Sequence, residues 1–207
     1  MSRLFLVSPA SCGGRRARLL LNDRAGFDLA VRVRSDPGVP LGQVFSFLSG
    51  LYFRGKLAYA TAFAAPPRGV PGILIITSCD GLKTPQDKVR IEDLRRFGEV
   101  PIDAGNERYR EPLLRDVGAL ERSLAASPNC EVVLLGSVAS GKYVELLSDV
   151  LGPRLRFPSE FVGRGDMSRG GLMLRCVEDR SELLYVPVAG AVRRGSRPPK
   201  LAPRPSR

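Results

Sequence analysis

The stretch that decides the fold is "EVVLLGSVASGKYVELL", residues 131–147. Its first five residues, Glu131–Leu135, form a nearly continuous apolar run, which is typical of a strand buried on both faces of a sheet. A turn of small residues follows, and Ser140–Leu151 then has the apolar spacing of a helix. A buried strand that leads through a tight turn into a helix is the repeating unit of a parallel α/β sheet.

Other segments extend this pattern in both directions. Buried strands are predicted at 4–8 and 72–78, and a short extended segment at 154–157. The clearest predicted helix runs from 106 to 126, and a helical region at 41–65 is expected to break at Gly50 or Gly55.

Two further predictions concern strands at the edge of the fold. Alternation in "FDLAVRVR", residues 27–34, predicts an exposed strand. Residues 172–177 and 183–188, separated by "EDRSE", predict a closing hairpin. The expected fold class is therefore α/β, with a mostly parallel central sheet flanked by helices and an antiparallel C-terminal hairpin at the edge.

Length and composition favour one domain and a tail. The chain has 207 residues and is 43% hydrophobic, which is enough to bury a core, and we expect a single α/β domain over residues 1–192. Residues 193–207, "RRGSRPPKLAPRPSR", are predicted to be a disordered basic tail rich in Pro and Arg. No membrane span and no signal peptide are recognised, so no membrane partner and a cytoplasmic location are expected.

The net charge of +11 is concentrated at the two ends of the chain. The tail contains five arginines and one lysine without an acidic residue, and residues 1–34 contain seven arginines against two aspartates. One interpretation is a phosphate-binding arm for nucleic acid, with Arg193, Arg194, Arg197 and Lys200 as contacts. The alternative is that an arginine-rich composition simply gives a solvated surface.

The absence of histidine limits the chemistry of any site. It removes every Ser-His or Cys-His nucleophile system and the familiar zinc sites. The four cysteines are widely separated, without a CxxC pair, so neither a metal nor another cofactor is expected.

The loop after the 131–135 strand has part of the spacing of a phosphate-binding P-loop. Gly136 is followed after four residues by Gly141 and Lys142, but Tyr143 stands where Ser or Thr would hold Mg²⁺. The motif also lies late in the chain, without a later strand that ends in Asp, which disfavours ATP hydrolysis. A magnesium-free phosphate contact by Lys142 remains as a hypothesis.

Three predicted strands end in loops of similar character, at 8–14, 77–83 and 136–142. Ligands of open α/β sheets collect at the carboxyl ends of strands, so we expect one cleft for an anion if the three strands are neighbours. Small residues in any tight turn are the alternative explanation. The candidate phosphate or nucleic-acid contacts in these loops are Ser8, Ser11, Gly13, Lys83, Gly136, Ser140, Gly141 and Lys142.

The candidate catalytic residues are Asp80, Cys79 and Glu160. Cys12 and Cys79 follow strands near expected helix N-termini, where a thiolate would be favoured, although a buried and inert cysteine is the more common case. Glu160 belongs to 157–175, which is predicted to be a long functional loop. Arg164 and Arg169 of that loop are further candidate phosphate contacts, and a self-neutralising surface loop is the alternative.

The order of these motifs resembles that of the YaaA-type peroxide-stress proteins. "LFLVSPASCGG" (4–14) resembles their opening strand and "SPAK" turn, and "FSFLSGLYFRGKL" (45–57) resembles their "LSGLYG" helix end. "CEVVLLGSVASGKYVELL" (130–147) resembles a later strand, turn and helix. "ILIITSCDGLKTPQDKVRIEDL" (73–94) is similar to a segment of a related group of uncharacterised small bacterial α/β proteins.

The resemblance implies an α/β protein that binds DNA and is linked to protection against oxidative damage. The residues that it singles out are Ser8, Pro9, Ala10, Ser49, Gly50, Leu51, Tyr52, Gly81 and Leu82. Two departures affect any shared phosphate contact: Ser11 stands where the YaaA turn has lysine, and Cys79-Asp80 replaces a pair of a small residue and lysine.

Two functional hypotheses follow from the sequence. The first is a nucleic-acid-binding protein, with DNA favoured over RNA, related to DNA damage or stress, that contacts backbone phosphate through the loops and the tail. The second is an enzyme of glycosylase or transferase type that acts without histidine on a small-molecule nucleotide or nucleobase in the same cleft. Whether the protein is catalytic is left open, as is its oligomeric state.

Overall fold

The computed structural model of the protein describes residues 1–202 of the 207. Within this part of the chain, six strands form one mixed sheet and two more form a small antiparallel sheet. In chain order the strands are β1 (Arg3–Val7), β2 (Val39–Pro40), β3 (Ile73–Ile76), β4 (Leu82–Lys83), β5 (Lys88–Val89), β6 (Glu131–Leu135), β7 (Leu155–Pro158) and β8 (Tyr185–Pro187).

The large sheet has the strand order β4-β3-β1-β6-β7-β8. Its four central strands run parallel, while β4 and β8 at the edges are antiparallel to their neighbours β3 and β7. The predicted fold class, a mostly parallel α/β sheet with an antiparallel edge, is confirmed. The strands with continuous apolar sequence occupy the centre because only central strands are buried on both faces.

Helices cover both faces of the sheet. The α-helices of the described chain are α1 (Arg15–Leu20), α2 (Asp28–Val33), α3 (Leu41–Ser49), α4 (Leu51–Phe63), α5 (Ile91–Glu99), α6 (Glu107–Ser123), α7 (Gly141–Leu151) and α8 (Asp166–Asp179), with 3₁₀ turns at Gly152–Arg154 and Ser159–Phe161. Alternate residues of β1 point to opposite faces: Phe5 and Val7 pack with helices α1–α5 and α8, whereas Leu4 and Leu6 pack with α6 and α7.

The strand predicted at 27–34 is wrong, because Asp28–Val33 is helix α2. Its buried residues are Leu29, Ala30 and Val33, whose spacing is helical, while Val31 is exposed. Alternation over so few residues fits both structures, and an isolated strand needs a neighbour to satisfy its backbone. Residue Asp28 in the first turn and its ion pair with Arg32 favour the helix.

The hairpin predicted from 172–177 and 183–188 is also wrong in its first half, since Leu172–Val177 lies inside α8. The antiparallel edge strand is β8, and its partner is β7 instead. The same helix replaces most of the long loop predicted at 157–175. Gly170 of this segment permits α8 to pack closely against α4.

The break within the 41–65 helical region falls at Gly50, which separates α3 from α4 and has φ of +60°. This conformation favours glycine over residues with a side chain. The predicted helices at 106–126 and 140–151 are confirmed as α6 and α7, with small shifts at their ends. Among residues 1–202, none of the helices is both long and apolar enough to span a membrane.

Residues 193–202 contain no helix or strand but lie against the domain. Arg194 donates to the carbonyl oxygen of Ala139, and the carbonyl of Pro199 accepts from Arg164. The prediction of disorder in the tail therefore stays a prediction, since part of the tail has defined neighbours. Residues 203–207 lie outside the described residues.

Candidate functional site

An open cavity of about 540 Å³ lies at the carboxyl ends of β3, β1 and β6. The three strands are neighbours, as the cleft hypothesis required. Each of the three predicted loops contributes to the wall, together with residues of α3, α4 and α5 and the start of α8. The candidate site is therefore assembled from segments that are distant in sequence and meet at one edge of the sheet.

The first loop, residues 8–13, forms the floor and one side of the cavity. Ser8 is buried, and its backbone N–H donates to the carbonyl of Leu135 at 3.1 Å, which fixes the loop to the end of β6. Ser11 is exposed at the rim and accepts a bond from the Gly13 N–H at 3.3 Å. Ser8, Ser11 and Gly13 thus all lie at the cavity, as predicted.

A fully buried lysine, Lys56 of α4, lies beneath this floor. Its Nζ donates to the Ser8 carbonyl oxygen at 2.5 Å and to Ser8 Oγ at 2.8 Å. The amine also lies over the ring of Tyr52, 4.4 Å from its centroid, and 5.0 Å from that of Phe53. No carboxylate of the described residues forms an ion pair with it.

Burial lowers the pKa of Lys56 to about 7, because the ammonium loses its hydration and has no ion-pair partner to replace it. The charge of Asp166 opposes this effect, whereas Arg169 and Lys142 add to it. Near neutral pH the amine is therefore both protonated and unprotonated in comparable amounts. A group of this kind bonded to a residue of a cavity wall is a candidate functional group.

The Tyr52 hydroxyl is a second unusual group at the cavity. Its oxygen is buried and has no hydrogen-bond partner among the described residues. Burial raises the pKa of Tyr52 to about 12; nearby Arg169 opposes the rise, although its guanidinium does not reach hydrogen-bonding geometry. An unsatisfied hydroxyl on a cavity wall is consistent with a donor or acceptor held for a ligand.

The third loop, 136–142, contains the residues that have part of the spacing of a P-loop. Lys142 lines the cavity, but Gly136 is explained by packing: a Cβ there would lie 2.9 Å from Ser8 Cβ. Tyr143, at the Mg²⁺ position of a P-loop, is buried in the wall. Ser140 precedes α7 and its Oγ has no partner among the described residues, while Gly141 begins that helix.

The second loop, 77–83, contributes only Ser78 to the cavity wall. Strand β3 leads into the antiparallel strand β4 and not into a helix, and Thr77 closes the tight turn by bonding the Gly81 carbonyl. Asp80 points into an ion cluster with Arg96, at 2.8 Å, and Lys83, at 3.4 Å. The candidates Asp80 and Lys83 therefore lie outside the cavity, where they form an ion pair with each other.

The cysteines do not show the activated state that their position suggested. Cys12 lines the cavity, but burial raises the pKa of its thiol to about 12, with a further contribution from nearby Cys79. Burial likewise raises the pKa of Cys79, which lies outside the wall. Burial thus favours the neutral thiol at both positions, which agrees with the alternative of an inert cysteine, and Cys79 precedes β4 and not a helix.

Helix α8 brings a carboxylate to the cavity. Asp166, in its first turn, lines the same cavity as Lys142. Arg169 is buried one turn later and donates through Nε and Nη2 to the Phe161 carbonyl, at 3.2 and 2.9 Å. Its guanidinium therefore holds the preceding turn in place and is not displayed to solvent as a phosphate contact.

The remaining candidates lie away from the cavity wall. Glu160 accepts bonds from Ser159 Oγ and from the Leu184 N–H at 3.2 Å, beside the β7 and β8 edge. Arg164 donates to Ser168 and to the tail. The tail residues Arg193, Arg194, Arg197 and Lys200 are exposed, and Arg194 contacts Ala139 of the third loop.

Sequence reasoning missed Lys56, whose amine bonds the cavity residue Ser8. A signal was present: Lys56 lies four residues after Tyr52, on the helical face that also carries Phe53, Tyr59 and Ala60. A lysine on an otherwise apolar face is a buried lysine if the helix is packed on that side. The partner, Ser8, lies 48 residues earlier, and only the fold joins the two.

The described residues contain no group of three or more Asp, Glu or Cys side chains placed to hold a metal ion. The polar side chains of the described wall are instead hydroxyls, one carboxylate and the amine of Lys142, together with the thiol of Cys12. Comparison of the chain with known protein families, with curated proteins and with solved structures finds no match. What can be proposed about function therefore depends on the geometry of the cavity.

Proposed function

We propose that the protein is an enzyme that binds a nucleotide or nucleobase in the cavity at the ends of β3, β1 and β6. The observation that carries this proposal is the buried Lys56 amine bonded to Ser8 in the cavity floor. A binding site for a small molecule usually has a volume of roughly 300–1,000 Å³ and a few convergent polar groups among apolar ones. The cavity of about 540 Å³ fits this description.

The distribution of polar and apolar groups supports a ligand with both characters. Phe45, Phe97 and Ile102 are the large apolar side chains among the lining residues that suit the flat face of a base. Ser11, Ser137 and Lys142 also line the cavity and suit ribose hydroxyls or phosphate oxygens. Lys142 and Asp166 are the charged side chains of the described wall, so a phosphate would be held by Lys142 locally and not by a net charge of the cavity.

The first prediction concerns ligand binding. Nucleosides, nucleotides and free bases are added separately to the full chain, and thermal unfolding is followed by circular dichroism. At about 100 times its Kd a true ligand should raise Tm by roughly 5–10 °C. Lys142→Met should weaken binding of a phosphate-bearing ligand by about 10- to 100-fold, since a charge-assisted bond is lost.

Lys88→Met is the matched control, because Lys88 is exposed on β5 and does not line the cavity. It should bind ligand as the wild type does. Failure of every nucleoside, nucleotide and base to stabilise the protein would refute the proposed ligand class. Equal binding by the Lys142 and Lys88 variants would remove Lys142 from the site.

A second candidate function is binding of nucleic acid, which one contact favours. Arg194 of the basic tail bonds the carbonyl of Ala139, so this arginine lies beside the third loop, which also carries Lys142. The resemblance to YaaA-type proteins supports the same function, with DNA as the expected partner. A strand held along the tail would present its phosphates close to Lys142.

The second prediction concerns the tail. A chain ending at Val192 should bind duplex DNA more weakly on every sequence. Since the truncation removes five arginines and one lysine, its salt slope should fall by up to about five, roughly 0.9 for each lost phosphate contact. Fluorescence anisotropy over a salt series measures both. A full-length chain with Gln at 193, 194, 197 and 200 keeps the backbone contacts and serves as the matched variant. Unchanged affinity in both chains would exclude the tail as a binding arm.

A further inference from the structure

Ser8 and Lys56 form a polar pair at the point where the first loop leaves β1. Lys56 is fully buried, and its hydrogen bonds within the described chain go to the carbonyl and the hydroxyl of Ser8. Ser8 in turn lines the cavity. We propose that Ser8 is a nucleophile and Lys56 its general base, and that the pair performs acyl transfer on an ester or thioester bound in the cavity.

The two bonds of Lys56 fit either protonation state. An ammonium donates to both Ser8 oxygens, at 2.5 Å for the carbonyl and 2.8 Å for Oγ. A neutral amine has two N–H groups and a lone pair, so it can donate to the carbonyl and accept the Oγ–H at the same distances. The backbone bond thus holds the amine in place while the proton on Oγ moves, which is the geometry that a general base requires.

The groups that face Lys56 leave the amine able to lose its proton. They are the Tyr52 and Phe53 rings from its own helix, Asp166 and Arg169 from α8, and Lys142 from α7. Asp166 favours the ammonium, but burial and the two cations outweigh it and lower the pKa of Lys56 to about 7. A base works best when its pKa lies near the operating pH.

The step balances without an added reagent except water. Unprotonated Lys56 takes the proton of Ser8 Oγ as Oγ bonds to the carbonyl carbon, and the π electron pair moves to the carbonyl oxygen. Collapse of this intermediate re-forms the carbonyl double bond with the electron pair of the oxyanion and breaks the bond to the leaving group, which departs with the electrons of the broken bond and takes the proton from Lys56. Water then attacks the acyl-serine with the same base, which releases a carboxylic acid and restores Ser8.

Serine with lysine is an established alternative to serine with histidine in acyl transfer, and this chain has no histidine. Lys142 lines the same cavity and supplies positive charge for the oxyanion that forms. The inference rests on the cavity being a substrate site, as in the proposed function. It does not require the substrate to be a nucleotide.

The test uses two probes that need no knowledge of the natural substrate. A fluorophosphonate phosphonylates an activated serine with loss of fluoride, and 4-nitrophenyl acetate leaves an acetyl group on it with a burst of nitrophenolate. The full chain is treated with each from pH 5.5 to 8.5, and mass spectrometry locates the modified residue. We expect modification of Ser8 by both, with a rate that rises with pH around a midpoint near 7.

Variants separate a catalytic pair from a merely structural one. Ser8→Ala should abolish labelling, and Lys56→Ala should slow it by about 100-fold or more. Added methylamine should restore part of the Lys56→Ala rate, which a structural role would not allow. Ser181→Ala and Lys88→Met change exposed residues of the same types and should label as the wild type does.

If one or both probes leave Ser8 of the wild type unmodified, the proposal is overturned. A Lys56→Ala chain that labels at the wild-type rate also overturns it. If that variant fails to fold by circular dichroism, the wild-type pH profile decides, and a rate without a midpoint between pH 6 and 8 counts against the pair. If Ser8 is labelled but no nucleotide, nucleoside or base binds the protein, only the proposed ligand class is refuted. If a nucleotide binds but Ser8 is unreactive, only the proposed catalytic pair is refuted.

Discussion

Replacing Lys56 by methionine is expected to remove a rise in stability with pH that the wild-type protein shows between pH 7 and 8.5. In the folded protein burial lowers the pKa of Lys56 to about 7, from 10.5 for an exposed lysine. Between these values the unfolded chain binds more protons than the folded one, so raising the pH stabilises the fold. The free energy of unfolding should increase by about 1.5 kcal/mol over this interval.

The lowered pKa corresponds to roughly 5 kcal/mol in the free energy of unfolding. The folded protein is destabilised by this amount at pH values well below 7, where the buried amine is protonated. Methionine has a similar shape without a charge, so the Lys56→Met chain should be more stable than the wild type at pH 6, by about 1–4 kcal/mol. The unsatisfied Ser8 carbonyl opposes this gain and keeps it at the lower end of that range.

Urea unfolding followed by circular dichroism at pH 6, 7, 8 and 8.5 measures this effect for the wild type, Lys56→Met and the control Lys88→Met. The interval ends at 8.5 because burial raises the pKa of Cys12 to about 12. Above pH 9 the unfolded thiol ionises more readily than the folded one, which lowers stability and offsets the rise that Lys56 causes. A pH slope that persists in Lys56→Met would show that another group causes it.

Stability and reactivity should change in opposite directions at this position. The Lys56→Met chain is expected to fold more stably at pH 6 and yet to lose the labelling of Ser8. A buried lysine that costs stability is the usual sign of a residue retained for function. A variant that is less stable at every pH would instead assign Lys56 the structural role of holding the first loop.

Gly170→Ala is expected to destabilise the protein by about 1–3 kcal/mol and to lower Tm by roughly 2–10 °C. The helices α4 and α8 cross at their backbones: a Cβ at Gly170 would lie 2.9 Å from the Leu51 carbonyl oxygen and 2.9 Å from Tyr52 Cα. On the facing helix, a Cβ at Gly55 would lie 2.6 Å from the Gly170 carbonyl oxygen. Because these atoms belong to the backbone, no side chain can move aside to relieve the contact.

Gly171→Ala is the matched control in the same helix. A Cβ there would meet only Leu201 Cδ1, at 3.6 Å, which is ordinary contact. The gain in helix propensity should then stabilise the protein by up to about 1 kcal/mol. Thermal unfolding distinguishes the two variants, and equal stability of Gly170→Ala and Gly171→Ala would contradict the close crossing.

The crossing also matters for the candidate site. Helix α8 carries Asp166 to the cavity wall, and Tyr52, which Gly170 contacts through its backbone, lies on the same wall. Pushing the helices apart should therefore reduce the reactivity of Ser8 as well as stability. Gly171→Ala should leave that reactivity unchanged.

The central sheet was predictable because its strands are continuous apolar runs. Residues 72–78 and 131–135 have almost no polar side chain, and such segments are stable only when both faces are covered. Short segments that mix apolar and polar residues were not predictable. Residues 27–34 fit a strand or a helix equally well, and 172–177 became helical because a glycine at 170 allows close packing on α4.

The candidate site was predictable in its position and only partly in its residues. The sequence determined that small polar loops follow three buried strands, and parallel strands bring such loops to one edge, so Ser8, Ser11 and Lys142 were found. It did not determine that β3 turns back into β4, which directs Asp80 into an ion cluster away from the cavity.

The tertiary structure alone decided the protonation of the groups at the cavity. Lys56 and Cys12 have ordinary pKa values in an unfolded chain, and burial shifts each toward its neutral form because the fold removes the water that stabilises the charge. It also decided that Lys56 meets Ser8. Helical spacing placed the lysine on a buried face, but the serine comes from a strand 48 residues away, and only packing of α4 against β1 brings the two side chains within 2.8 Å.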